Sequence, residues 1–153
     1  MGDDHMKKMR ALHARTGLSV FAVLLSCTGL SLATATPAAA YAGQCNAQVT
    51  KKRPAASGGT YAAVLPAHGS NIDCYLNPGA EGSAVKALQQ NLNRCYGRSL
   101  DVDGIFGDNT KNALMYAQGQ EKIGKDGMYG KESRTHLKWR WYENRNLWYC
   151  GRL

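Results

Sequence analysis

Asp103-Gly104-Ile105-Phe106-Gly107-Asp108-Asn109-Thr110 returns, 23 residues later, as Asp126-Gly127-Met128-Tyr129-Gly130-Lys131-Glu132-Ser133. The shared pattern is Asp, Gly, an apolar residue, an aromatic, Gly, two variable positions and a hydroxyl. Repetition of this kind marks one supersecondary unit used twice. Each copy reads as a tight glycine turn that launches a helix. The Asp can accept from nearby amides and close the turn. The glycines permit backbone angles or close approaches that a Cβ forbids. The aromatic drops into the core, and Thr110 or Ser133 falls in the first helical turn, where free amides need partners.

Upstream of the first copy, the spacing predicts a helix over about 84–94, with Ser83 as its N-cap. Val85, Leu88 and Leu92 form one apolar stripe, while Gln89, Gln90, Asn91 and Asn93 are expected to point elsewhere. A second helix runs from Asp108 or Asn109 to about Gln118. Ala113, Leu114 and Ala117 face inward, and Asp108 suits the positive end of the helix dipole. A third, short helix is expected over 131–138, with Leu137 inward. The chain therefore reads as mostly α, a small three-helix bundle with two Asp-Gly turns over residues 74–138. Residues 41–73, rich in Pro, Gly, Ser and Ala, read as a flexible linker, within which a short extended piece near Tyr61 to Leu65 can pack on the domain. Residues 139–153 carry Trp139, Trp141, Tyr142, Trp148 and Tyr149. They read as an aromatic tail packed on the domain, with sugar stacking as the competing role.

The first 40 residues have the pattern of a secretory signal peptide. Lys7, Lys8, Arg10 and Arg15 precede an uncharged run from Leu18 to Leu32, and Ala38-Ala39-Ala40 offers a small-residue cleavage site. The run is short for a membrane span, which needs about 20 residues. Leu24-Leu25-Ser26-Cys27 resembles a lipoprotein cleavage box, but the apolar run continues past Cys27 and a better site follows. Loss of the leader leaves Cys45, Cys74, Cys95 and Cys150, an even number in an exported chain. That implies two disulfides, for which three connectivities exist. The expected pairing is Cys74–Cys95 across one helix and Cys45–Cys150 joining the ends. No Cys-x-x-Cys pair occurs, which argues against a zinc site.

The chain carries a net charge of +8, and residues 41–153 hold 15 basic and 9 acidic side chains. Such a surplus favours polyanionic surroundings, although only Lys51-Lys52-Arg53 forms a basic run. Asp101-x-Asp103-Gly104 resembles the start of a calcium loop, but Asn112 stands where the closing Glu belongs. Only His68 and His136 remain outside the leader, and Asp101 and Asp103, beside glycine, look like turn chemistry rather than an acid–base pair. The reading is of a protein that is not an enzyme and needs no cofactor or metal.

The order of motifs resembles the small peptidoglycan-binding domain of bacterial cell-wall proteins. Gly79, Gly82, Val85, Leu88, Gln89 and Leu92 match its first helix in spacing. Asp103, Gly104, Phe106, Gly107, Thr110, Ala113 and Gln118 continue the match, and Asp126, Gly127, Gly130 and Leu137 complete it. The resemblance covers about 79–138. Departures are Asp108 and Lys131 in place of a frequent proline, and Ala117, Lys122 and Ser133. The resemblance implies a three-helix fold without catalytic residues, usually a targeting module beside a wall hydrolase.

The expected function is a secreted, non-catalytic peptidoglycan-binding protein, extracellular or wall-associated. Asn109, Tyr129, Arg134 and Trp139 are the candidate ligand-binding residues, with Asp103 and Phe106 holding the loop. Expected partners are peptidoglycan or associated wall polyanions and a separate wall hydrolase. Nucleic acid and stable membrane insertion are not expected. The alternative is a secreted interaction or inhibitor protein that uses the same scaffold to hold another protein.

Overall fold

The computed structural model describes residues 41–144 and 146–153. The leader lies outside the described residues. Seven elements follow in order: strands β1 (Ala47–Pro54) and β2 (Thr60–Ala67), helices α1 (Ser83–Tyr96), α2 (Asp108–Gln120) and α3 (Lys131–His136), and strands β3 (Trp139–Tyr142) and β4 (Trp148–Gly151). The strands form one antiparallel sheet in the order β1-β2-β3-β4. The expectation of a mostly α, three-helix bundle is thus overturned. The three helices exist, but a four-stranded sheet stands beside them.

Residues 41–73, expected to be a flexible linker, supply half of that sheet. Ala55 to Gly59 closes a hairpin, with the Ala55 N–H donating to the Gly59 carbonyl at 3.0 Å. The Ser57-Gly58-Gly59 cluster that reads as linker is a hairpin loop, and Gly58 takes a φ of +85° there. A period of two is present in Ala63, Leu65 and Ala67, all fully buried. Alanine carries little β-propensity, so the alternation is faint in the sequence. β1 is an edge strand, and its Lys51-Lys52-Arg53 charges keep that open edge from pairing with other chains.

The tail supplies the other half. Trp139 and Trp141 alternate with Arg140 and Tyr142, and both tryptophans are buried. β3 joins the β2 ladder at the Ala62–Tyr142 pair. Where the two strands diverge, Asn91 of α1 completes the edge. Its amide donates to the Lys138 carbonyl at 2.9 Å and accepts from the Arg140 N–H at 2.9 Å. One carboxamide thereby makes both bonds of a missing strand partner, so Asn91 is buried rather than pointing away.

The helices lie close to their expected positions. Ser83 is the first residue of α1, not its cap; Gly82 occupies that position without a side-chain cap bond. α3 stops at His136, two residues short of the expected Lys138. Leu88, Leu92, Phe106, Leu114, Tyr129, Leu137 and Trp139 share one core with Leu65, Leu76 and Trp141 of the sheet side.

Two disulfides are present, but with a different pairing from the one expected: Cys45–Cys74 and Cys95–Cys150. The hairpin explains the first, because β1 and β2 run out and back and bring residues 45 and 74 together. The second joins the end of α1 to β4 and spans 55 residues. Closing a loop of that size stabilises by about 4 kcal/mol in the chain-entropy account. Peptide mapping under non-reducing conditions should recover only the Cys45–Cys74 and Cys95–Cys150 pairs. The Cys95→Ser/Cys150→Ser variant should lose roughly 2–4 kcal/mol in urea unfolding. A Cys74–Cys95 peptide would contradict the fold described.

Candidate functional site

The repeat extends beyond the doubled phrase, because each copy is held by a buried glutamine from the preceding helix. Gln89 of α1 donates to Asp103 Oδ1 at 2.8 Å, to the Ile105 carbonyl at 3.1 Å and to Thr110 Oγ1 at 3.1 Å. Its own oxygen accepts from the Gly104 N–H at 2.9 Å. Gln118 of α2 repeats the pattern on Asp126 Oδ1, the Met128 carbonyl and Ser133 Oγ, at 2.7, 3.1 and 3.1 Å. It too accepts from a glycine, Gly127, at 2.9 Å. In both copies the Asp accepts from the N–H two residues on, at 2.8 Å. The expectation that Gln89 points elsewhere is therefore corrected. A glutamine can sit in an apolar stripe when every polar atom of its amide finds a partner.

The glycines at the centre of each turn cannot be replaced. Gly104 and Gly127 have φ of +83° and +68°. A Cβ on Gly104 would lie 3.0 Å from the Gly82 carbonyl oxygen, and one on Gly127 would lie 2.7 Å from Lys111 Cγ. The closeness has a purpose. The extended segment 75–82 is a seam to which both turns are bonded. Leu76 and Tyr129 exchange backbone bonds at 2.9 and 2.8 Å, while Ala80 and Gly82 take the first turn through Phe106 and Gly104 at 2.9 Å each.

Each turn floors a cleft. The first, about 190 Å³, is bordered by Leu100, Asp101, Asp103, Asp108 and Asn109. It is acidic and has no aromatic wall. The second, about 330 Å³, lies over Gln118, Asp126 and Ser133 and is walled by Tyr41, Tyr75, Met128 and Glu132. Tyr41 and Tyr75 meet edge to face with centroids 5.9 Å apart. The Cys45–Cys74 bond and the Ala42 N–H, which donates to the Asp73 carbonyl at 2.7 Å, hold their two segments together. The same amide–carboxylate cassette thus carries two different surfaces, set by what the chain places beside it.

The four candidate residues divide. Asn109 is exposed and borders the first cleft. Tyr129 and Trp139 are fully buried and pack edge to face at 6.1 Å, and the Trp139 indole donates to the Arg134 carbonyl at 3.0 Å. Tyr129 is nevertheless among the residues that line the second cleft. Arg134 is buried and paired with Asp73, and also donates to the Ile72 carbonyl at 2.7 Å. It ties α3 to the Cys74 segment. Burial pushes the Tyr129 phenol pKa up. Tyr41 and Tyr75 have no signal in the sequence alone, because a segment read as linker offers no reason to place them beside α3.

The described histidines are committed locally: His68 Nδ1 lies 2.8 Å from the Gln44 carbonyl and His136 Nδ1 2.9 Å from that of Glu132. Among the described residues no three His, Cys, Asp or Glu side chains form a group that could hold a metal ion.

The cassette generates two expectations. Gln89→Ala leaves the buried Gly104 N–H without its acceptor and should cost roughly 2–4 kcal/mol in urea unfolding. Gln89→Glu keeps that acceptor but sets a second oxygen against Asp103, so it should not restore stability; full recovery would mean that the donor bonds contribute nothing. The Ile105 N–H, followed by Gln89, holds the Asp103 carboxyl below its usual range. A depressed folded pKa means that stability is complete above the ordinary value near 4 and is lost as pH falls through the folded value. Melting temperature should therefore fall with acid below about pH 4, and less steeply in Asp103→Asn. Parallel profiles would exclude the carboxylate as a source.

Comparison with known proteins places this geometry. Residues 81–137 match the family described as a putative peptidoglycan binding domain. That segment begins just before α1 and ends just after α3, so it contains both cassettes. The chain is also 29% identical over 94 residues to the N-acetylmuramoyl-L-alanine amidase CwlL of Bacillus licheniformis, an alignment that covers 58% of this chain. It spans about 25% of the length of that relative. Residues 81–137 are a peptidoglycan-binding-like domain.

Proposed function

We propose that the protein is secreted and binds peptidoglycan without cleaving it, through the cleft over the second cassette. The observation that carries this reading is the family match across α1 to α3 combined with the aromatic wall of that cleft. Tyr41 and Tyr75 offer apolar ring faces with polar tips, a surface suited to sugar rings and to the aliphatic parts of a peptide. Asp126 and Glu132 on the rim can accept from hydroxyls, amide N–H groups or amines. A few polar groups on a mostly preformed apolar cleft are what orients a bound ligand. Asn109 is a secondary candidate on the neighbouring acidic cleft.

Secretion is supported by the leader pattern and by the two disulfides, which persist in oxidising compartments. The relative named as an amidase supports a separate wall hydrolase as partner. The non-catalytic reading rests on the described cysteines being disulfide-bonded and on the histidines being tied to backbone carbonyls far from one another in sequence.

Sedimentation with purified, protein-free cell walls tests the reading. The protein should pellet with the walls at moderate salt. Tyr75→Ala should weaken retention by about tenfold, or about 1.4 kcal/mol, with its melting transition checked in parallel. Failure to pellet at any salt would sink wall binding, and retention only at low salt would reduce it to charge attraction. Soluble fragments released from the walls would overturn the non-catalytic half.

A further inference from the structure

A third opening lies between α1 and the sheet. Val64, Ala87, Gln90, Arg94, Arg140 and Tyr142 border it, and its volume is about 40 Å³. One water needs roughly 10–15 Å³ on this scale, so the head of a carboxylate or phosphate fits.

The fold brings two cations to this place by a definite route. Arg94 precedes Cys95, and Arg140 is the register partner of Cys150. The Cys95–Cys150 bond therefore holds the two arginines on the same junction. The Arg140 guanidinium lies 5.4 Å from the ring centroids of both Tyr142 and Trp148. Its Nε is buried and has no hydrogen-bond partner.

An unpaired buried N–H of a cation is costly, and such groups ordinarily find an acceptor. Other arginines here do: Arg134 pairs with Asp73, and Arg152 with Glu121 at 3.1 Å. Among the described residues neither Arg94 nor Arg140 is in an ion pair. The polar neighbours are neutral, and Asn91 is already committed to β3. What remains is an excess of planar donors with no acid, a setting that selects an oxyanion.

We propose that this groove is an oxyanion subsite, in which Arg140 and Arg94 together take one carboxylate or phosphate group. Val64, Arg140 and Tyr142 lie outside residues 81–137 while Arg94 lies within them, so the subsite is formed where the sheet meets the family segment. It does not depend on wall binding. In a wall, the group would come from a stem-peptide carboxylate or from a phosphodiester polymer.

The test follows the arginine Nε–H resonances of the labelled protein during addition of inorganic phosphate, or of N-acetyl-D-alanine as a carboxylate, at constant ionic strength. The Arg140 resonance should shift and saturate with at least one of them. Saturation by phosphate alone assigns a polymer phosphate, by the carboxylate alone a stem peptide, and by both the shared chemistry. Arg94 is exposed, and Arg94→Gln should weaken the midpoint by roughly tenfold without altering the melting transition. Arg140→Lys keeps the charge but loses the fork, and should lose most of the binding while remaining folded. Linear shifts that never saturate with either anion, or equal shifts at the exposed Arg98, would overturn the proposal.

Discussion

A glutamine side chain buried in an apolar stripe is tolerable only if its donors and its acceptor are all paired, and this protein meets that condition twice with the same set of partners. Gln89 and Gln118 each join one helix to the turn that precedes the next. They do so through an Asp carboxylate, a glycine N–H, a backbone carbonyl and a hydroxyl. Because those groups come from positions separated by many residues in the chain, the cassette fixes helix order and turn geometry at once. The glycine at its centre must take a positive φ and must lie against its neighbours, so the phrase admits little change. The core aromatic that follows, Phe106 or Tyr129, is delivered inward by the same turn.

The sheet is a second structure built onto this frame. It is fastened at three points of different physical kind. Asn91 substitutes for a strand at β3, Cys95–Cys150 anchors β4 to the end of α1, and Arg134 with Cys45–Cys74 ties the segment before the seam to α3. Glu121 adds a polar clamp at one end, accepting from Tyr96 and Arg152 at 3.1 Å each with Lys138 at 3.5 Å. Its burial pulls the carboxyl pKa upward, but these partners outweigh it and the net shift is downward. The additions also change the surfaces. Tyr41 and Tyr75 turn one of two equivalent clefts into an aromatic one, and β3 turns the back of α1 into a cationic groove.

Much of the helical half was legible because it rests on local rules. Glycine turns, the Val85-Leu88-Leu92 stripe and the doubled Asp-Gly phrase each announce themselves within a few residues. The buried role of Gln89 and Gln118 was not legible, since a polar residue on a helix is ordinarily a solvated one. Of the strands only β2 left a trace, the short extended piece near Tyr61 to Leu65; the sheet itself was missed because alternating alanines bury little area, and because Ser57-Gly58-Gly59 serves a hairpin and a linker alike. Tyr129, Arg134 and Trp139 were reasonable as ligand contacts by chemistry and position. All three are buried where α3, the start of β3 and the segment before Cys74 pack together.

The sequence by itself determined the repeated turn-and-helix frame, the presence of paired cysteines and the resemblance that the family match supports. These depend on backbone preferences and spacings that act over short stretches. Only the tertiary structure decided the disulfide partners, the four-stranded sheet and which side chains reach solvent beside the turns. Those depend on distant segments meeting, and the pairing of residues 45 with 74 or 95 with 150 has no local signature. The physical reason is that a side chain's exposure is a property of what packs against it, and here the covering segments come from the two ends of the described chain.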